Sequence, residues 1–97
     1  MIGNSSSGIV EAPTFNLPFV NIGTRQEGRL MAENVLNCVF NRQDIVKTVA
    51  RALTYHKMCH NPYGDGKSAK RIVNSLIEFF TKYDLDKIRR KKFYKLN

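Results

Sequence analysis

Twice before residue 54 this chain passes from a short β-prone run through a polar turn into a helix-compatible stretch, and that order narrows the available folds more than any other feature. Met1 and Ile2 read as the last residues of a strand that begins upstream of Met1. The loop "GNSSSG" (3–8) follows, then Gly8 to Phe15, which favours a short helix despite Pro13. "PFVNI" (18–22) is the next strand, bounded by Pro18 and Gly23. Residues 24–34 are polar and Gly-interrupted, a loop with room for one helical turn, before "VLNCVF" (35–40) as a third strand. From Gln43 to Leu53 the apolar residues Ile45, Val46, Val49, Ala52 and Leu53 fall on one helical face, with Asn41 or Arg42 near the start. Strands alternating with helices predict an α/β fold with a parallel sheet. Right-handed crossovers then put every strand's carboxyl end along one edge, where such folds bind ligands. The loops "GNSSSG" and "GTRQ" (23–26) both leave strand ends and are expected side by side.

Beyond this unit, "TYHKMCHNPYGDGKS" (54–68) has no sustained period and is expected to be a long loop. Ala69, Ile72, Val73, Leu76, Ile77 and Phe80 then follow an i, i+3, i+4, i+7 stripe, the strongest helix signal here, beginning at Lys67 or Ser68. A final basic helix is expected past Tyr83, turning Leu85, Ile88, the stem of Lys92 and Phe93 inward. The net charge of +8 is lopsided: residues 82–97 hold seven of the 16 basic residues and two of the eight acids. Residues 1–81 are therefore only mildly basic, and 82–97 form a separate basic helix or tail. No apolar run approaches the roughly 20 residues that span a bilayer, and no secretory leader is apparent. Two distant cysteines make no disulfide framework, so a reducing cytoplasm is expected.

The two loops carry the chemistry. A helix start presents unpaired N–H groups and the positive end of the dipole, and a Gly/Ser approach lets backbone and hydroxyls close on a phosphate. Ser5 and Ser6 are the candidates, although serines at such places also serve simply as caps. Glu11 would repel a phosphate but could accept hydrogen bonds from vicinal ribose hydroxyls; as a solvated glutamate it would do neither. A capping box would need a serine three residues before it, where Gly8 stands. Arg25 offers a planar fork of donors suited to a diphosphate, though surface arginines are common.

With these residues in view, "IGNSSSGIVEAPTFNLPFVNIGTRQEGRLMAENV" and "NPYGDGKSAKRI" resemble the C-terminal part of UDP-N-acetylglucosamine 2-epimerases, over nearly all of residues 1–81. The resemblance is strongest to the hydrolysing branch; the non-hydrolysing branch, the alternative, typically carries an "SGG.QEEA" loop and a "TERPE" run that this chain lacks. It implies a partial Rossmann-like three-layer domain, the C-terminal half-domain of a two-domain glycosyltransferase-B-type fold whose N-terminal domain lies outside this sequence. It further implies that Ser5 and Ser6 contact the UDP diphosphate, Glu11 the ribose and Arg25 the phosphate region, with Ser7, Gly8 and Thr24 in the substrate loops. The implied reaction removes the sugar C2 proton, eliminates UDP to a glycal and adds water, without a cofactor. Its acid and base lie upstream, so this chain alone is expected to be inactive and its full-length parent a homo-oligomer.

Other signals are weaker. "GDGKS" (64–68) lacks the first glycine of a phosphate loop, since position 61 is Asn61. Cys38, His56, Cys59 and His60 match no standard zinc spacing, and no metal is expected. "G-x-S-x-G" is broken at Ser7. The basic tail with Phe93 and Tyr94 could meet RNA in a stand-alone anion-binding module, but such runs are more often solvated helix faces, and nucleic acid is not expected.

Overall fold

The computed structural model describes residues 1–90, which divide into two compact units, the first over 1–65 and the second starting at Gly66. The first contains β1 (Ile2–Gly3), α1 (Ser7–Val10), a 3-10 turn (Ala12–Phe15), β2 (Phe19–Ile22), β3 (Val35–Cys38) and α2 (Arg42–Leu53). The second contains α3 (Ser68–Lys82) and α4 (Leu85–Arg89). The strands form a parallel sheet in the order β1-β2-β3, as the alternating pattern predicts. Ile2 lies opposite Val20, and Phe19 to Ile22 lie opposite Val35 to Cys38.

Side chains alternate between the two faces of a strand, so Phe19 and Val20 look in opposite directions. On one side Val20, Cys38 and Ala52 form the core, with Ile22, Leu36, Ile45 and Val49 packed around them beneath α2. On the other, Phe19 and Ile9 are fully buried. Each contributes about 1.5–3 kcal/mol of burial. Gly8 makes this packing feasible, because a Cβ there would collide with the edge of the Phe19 ring.

The expected single helix over 8–15 is broken in two. Pro13 has no N–H to donate, so α1 stops at Val10 and the chain tightens into the 3-10 turn. Asn16 then reverses direction in the left-handed region at φ 51°. The predicted strand 35–40 is shorter than expected, because the Val39 N–H is taken by the Asp44 carboxylate at 2.8 Å and leaves the sheet. Asn41 caps α2 by accepting from the Asp44 N–H at 2.8 Å. The face of α2 also differs. Ile45, Thr48, Val49 and Ala52 point inward, while Val46 and Leu53, seven residues apart on one flank, are 62% and 76% exposed. Residues 24–34 hold turns but no helix.

The 54–67 loop is tied down by asparagines. Asn61 Nδ2 donates to the Val10 carbonyl and Thr14 Oγ1, at 2.9 and 2.7 Å. The Cys59 N–H donates to Asn16 Oδ1 at 2.9 Å, and the Tyr63 hydroxyl to the Leu30 carbonyl at 2.8 Å. In the second unit α3 begins at Ser68, and its stripe of Ile72, Val73, Leu76, Ile77 and Phe80 is exposed. Phe79 meets Phe80 edge to face and Tyr83 at a tilt. A basic helix past Tyr83 is present as α4. The expected inward placement of Leu85, Ile88, Lys92 and Phe93 lies outside the described residues, as does Tyr94. No described helix is long and apolar enough to cross a membrane.

Gly8→Ala is expected to destabilise the chain by about 1–3 kcal/mol through overpacking, although alanine is the better helix former. Urea denaturation of this variant and of the Gly8→Ala/Phe19→Leu double mutant checks it: removing ring volume should recover part of the loss.

Candidate functional site at the carboxyl edge of the sheet

At the carboxyl ends of β1 and β2 the two predicted loops meet. Arg25 Nη1 donates to Asn4 Oδ1 at 3.4 Å, and Gln26 Nε2 donates to the Asn4 carbonyl at 2.8 Å. Gln26 is buried and Arg25 exposed, so one side chain anchors the loop and its neighbour reaches solvent. Gly23 starts the turn at φ 78°, and the Glu27 N–H closes it on the Thr24 carbonyl at 2.9 Å.

The serines divide their duties. Ser5 Oγ accepts from the Ser7 N–H at 3.3 Å, a local turn of the capping kind. Ser6 occupies the cap of α1; its carbonyl accepts from the Ile9 and Val10 N–H groups, while its hydroxyl makes no capping bond. Ser6 is exposed and Ser7 half-buried. Gly8 is buried against Phe19. Glu11 sits at the far end of α1, exposed, with its N–H on the Ser7 carbonyl at 3.0 Å. Among the described residues, a hydrogen bond joins Arg25 to the serine-loop residue Asn4, whereas none joins Glu11's side chain to either loop.

A cavity of about 460 Å³ lies beside these loops, at the carboxyl ends of β2 and β3. Asn21, Thr24, Arg29, Met31, Asn37 and Cys38 are in its wall. Ser5, Ser6, Glu11 and Arg25 are not; of the predicted site residues only Thr24 borders it. Asn4, Gln26, Asn21 and Asn37 are not among the site residues expected from the sequence. The available signal was the low strand propensity of Asn21 and Asn37, polar residues set in apolar runs.

Burial pushes the Cys38 thiol up from its ordinary 9.0, the negative charge of Asp44 adds to this, and a hydrogen bond with Thr48 opposes it. A raised thiol stabilises the fold fully below the unfolded value, and that contribution fades as pH climbs from about 9 through the folded value.

With this geometry in place, the chain is a parallel α/β segment whose strand carboxyl edge carries a serine loop and an arginine loop. It belongs to the UDP-N-acetylglucosamine 2-epimerase family, whose model matches residues 1–77. It is 44% identical over 77 residues, 78% of this chain and 20% of the relative, to the UDP-N,N'-diacetylbacillosamine 2-epimerase (hydrolyzing) of Legionella pneumophila. It is 54% identical over 44 residues, 45% of this chain and 12% of the relative, to the GDP/UDP-N,N'-diacetylbacillosamine 2-epimerase (hydrolyzing) of Campylobacter jejuni. Polysialic acid biosynthesis protein P7 of Escherichia coli is 30% identical over 86 residues, 80% of this chain and 22% of that protein. The chain spans about a fifth of the length of the Legionella relative.

Three outcomes are expected. Gln26→Ala removes the anchor of the Arg25 loop, so hydrogen–deuterium exchange of residues 23–28 should accelerate at least about fivefold, with the α2 amides little changed. In native protein at pH 8 a thiol reagent should modify half-buried Cys59 and spare Cys38. Unfolding titrations should show stability declining above about pH 9, and a Cys38→Ala variant should lose the part of that decline that begins there, while the part above about pH 10, to which the Tyr55 hydroxyl raised by burial contributes, remains.

Proposed function

We propose that the complete protein carrying this chain is a hydrolysing UDP-N-acetylglucosamine 2-epimerase, and that residues 1–81 supply its diphosphate and ribose half-site. In this reading Ser6 Oγ and the Arg25 guanidinium hold the UDP diphosphate, with Ser5 shaping the turn that presents them. Glu11 accepts from the ribose hydroxyls, and Ser7, Gly8 and Thr24 belong to the loops that face substrate. The observation that carries it is the pairing of Arg25 and Gln26 with Asn4, which supports a serine hydroxyl and a guanidinium acting on one anion. A planar fork of donors suits a diphosphate, and the Ser6 hydroxyl is not consumed by its own helix.

The reaction follows from the bonds that change. A base outside this chain removes the proton at sugar C2, the bond from C1 to the UDP oxygen breaks on the opposite face, and a glycal forms. Water then adds across that double bond, giving UDP and N-acetylmannosamine or its analogue. Negative charge builds on the departing diphosphate, which is where the Arg25 and Ser6 donors would act. The substrate is UDP-N-acetylglucosamine or a related UDP-amino sugar serving sialic-acid-like or capsular sugars. The names of the Legionella, Campylobacter and Escherichia relatives support that choice. The rest of the reading is a second Rossmann-like domain in a glycosyltransferase-B arrangement, a cytoplasmic homo-oligomer, residues 82–97 as a basic terminal segment, and no activity in the 97-residue chain alone.

In the complete protein, Arg25→Ala and Ser6→Ala should each lower kcat/KM for UDP release from UDP-N-acetylglucosamine by roughly tenfold to a hundredfold, the size of a lost charge-assisted hydrogen bond. Coupled detection of UDP and of the 2-epimeric sugar measures this. Release of neither product by the unmutated protein would sink the reading.

A further inference from the structure

A buried parallel strand is ordinarily an unbroken apolar run, and asparagine is a poor strand former. Yet β2 and β3 set Asn21 and Asn37 in direct register near their carboxyl ends. Asn21 is 2% exposed and donates from Nδ2 to Asn37 Oδ1 at 2.7 Å, while its Oδ1 has no partner among the described residues. Leaving a buried acceptor unpaired costs stability, and one in a pocket wall stands where a ligand's donor can pair it. Valine at position 21 would pack without that cost.

Both carboxamides line the 460 Å³ cavity, which lies within the range of small-ligand pockets, about 300–1,000 Å³. Asn37 is exposed, and its Nδ2 rests on Met31 Sδ at 3.7 Å, a weak hold that an incoming acceptor can replace. Met31 and Val39 supply apolar wall, and Thr24 and Arg29 a polar border. A group that complements this lining offers one N–H, one carbonyl and a small apolar end. That description is an N-acyl amide.

We propose that the cavity at the ends of β2 and β3 receives the N-acyl group of an amino sugar, its amide N–H donating to Asn21 Oδ1, its carbonyl accepting from Asn37 Nδ2 and its methyl lying on Met31 and Val39. Choosing an amino sugar rests on the function proposed above; the cavity itself is walled by none of Ser5, Ser6, Glu11 and Arg25. Thr24 is the link, lining the cavity and preceding Arg25 in the chain.

The test is nuclear magnetic resonance on the chain labelled with ¹⁵N and with ¹³C methionine methyls, titrated separately with N-acetylglucosamine, glucose and UDP. N-acetylglucosamine should move the Met31 methyl and the Asn21 and Asn37 carboxamides, and glucose should not. Asn21→Leu and Asn37→Ala should each weaken that response roughly fivefold or more, while UDP-induced shifts at Ser6 and Arg25 persist. Should Asn21→Leu not fold, Asn37→Ala at an exposed position carries the comparison. UDP shifts at Ser6 and Arg25 with a cavity unmoved by N-acetylglucosamine, or moved equally by glucose, would overturn the acyl subsite and leave the diphosphate reading standing. Cavity shifts with N-acetylglucosamine and no response to UDP would do the reverse.

Discussion

Asn34 is the interaction on which the first unit depends. Fully buried, it donates from Nδ2 to the carbonyls of Gly8 and Leu17 at 3.3 and 2.9 Å, and its own carbonyl takes the Phe19 N–H at 2.8 Å. One residue thus holds α1, the end of the 3-10 turn, the first bond of β2 and the chain entering β3. Its Oδ1 is itself unpaired among the described residues, so the clamp retains some desolvation cost. The bonds it makes satisfy main-chain groups that would otherwise be buried without partners.

The same device recurs because the elements are so short. β1 has two residues and α1 four, too little apolar surface to hold either by packing alone. Asn4 therefore joins the first two loops, Asn41 starts α2, and Asn16 and Asn61 hold the long loop against the α1 region. A carboxamide can donate and accept at once, which lets one small side chain serve two strands of backbone. The carboxyl edge of the sheet is built from this lattice: the buried Gln26 anchors the loop that carries the exposed Arg25, and Ser6 lies within the turn that Ser5 closes.

Much of this was legible in the sequence, and the misses have identifiable causes. The strand over 19–22 was legible as a β-prone run bounded by Pro18 and Gly23, and the helices over 42–53 and from 68 follow from the apolar period, which marks a helix but not which of its residues are buried. The meeting of the serine and arginine loops followed from parallel topology, since both leave strand carboxyl ends. The cavity was not legible, because Asn21 and Asn37 are sixteen residues apart and only the β2–β3 register sets them opposite each other. Val46 and Leu53 were misplaced because apolarity says that a residue can be buried, while the angle at which α2 meets the sheet decides which ones are.

The order of elements, the parallel sheet and the identity of the loops at its edge were properties of the amino-acid string, because turn chemistry and hydrophobic period act over a few neighbours. Which carboxamides would clamp the backbone, how Gly8 would seat against Phe19 and where a cavity would open were decided by the folded chain. Those outcomes depend on distances between residues far apart in sequence, and strand register and helix packing set such distances only once the chain has closed on itself.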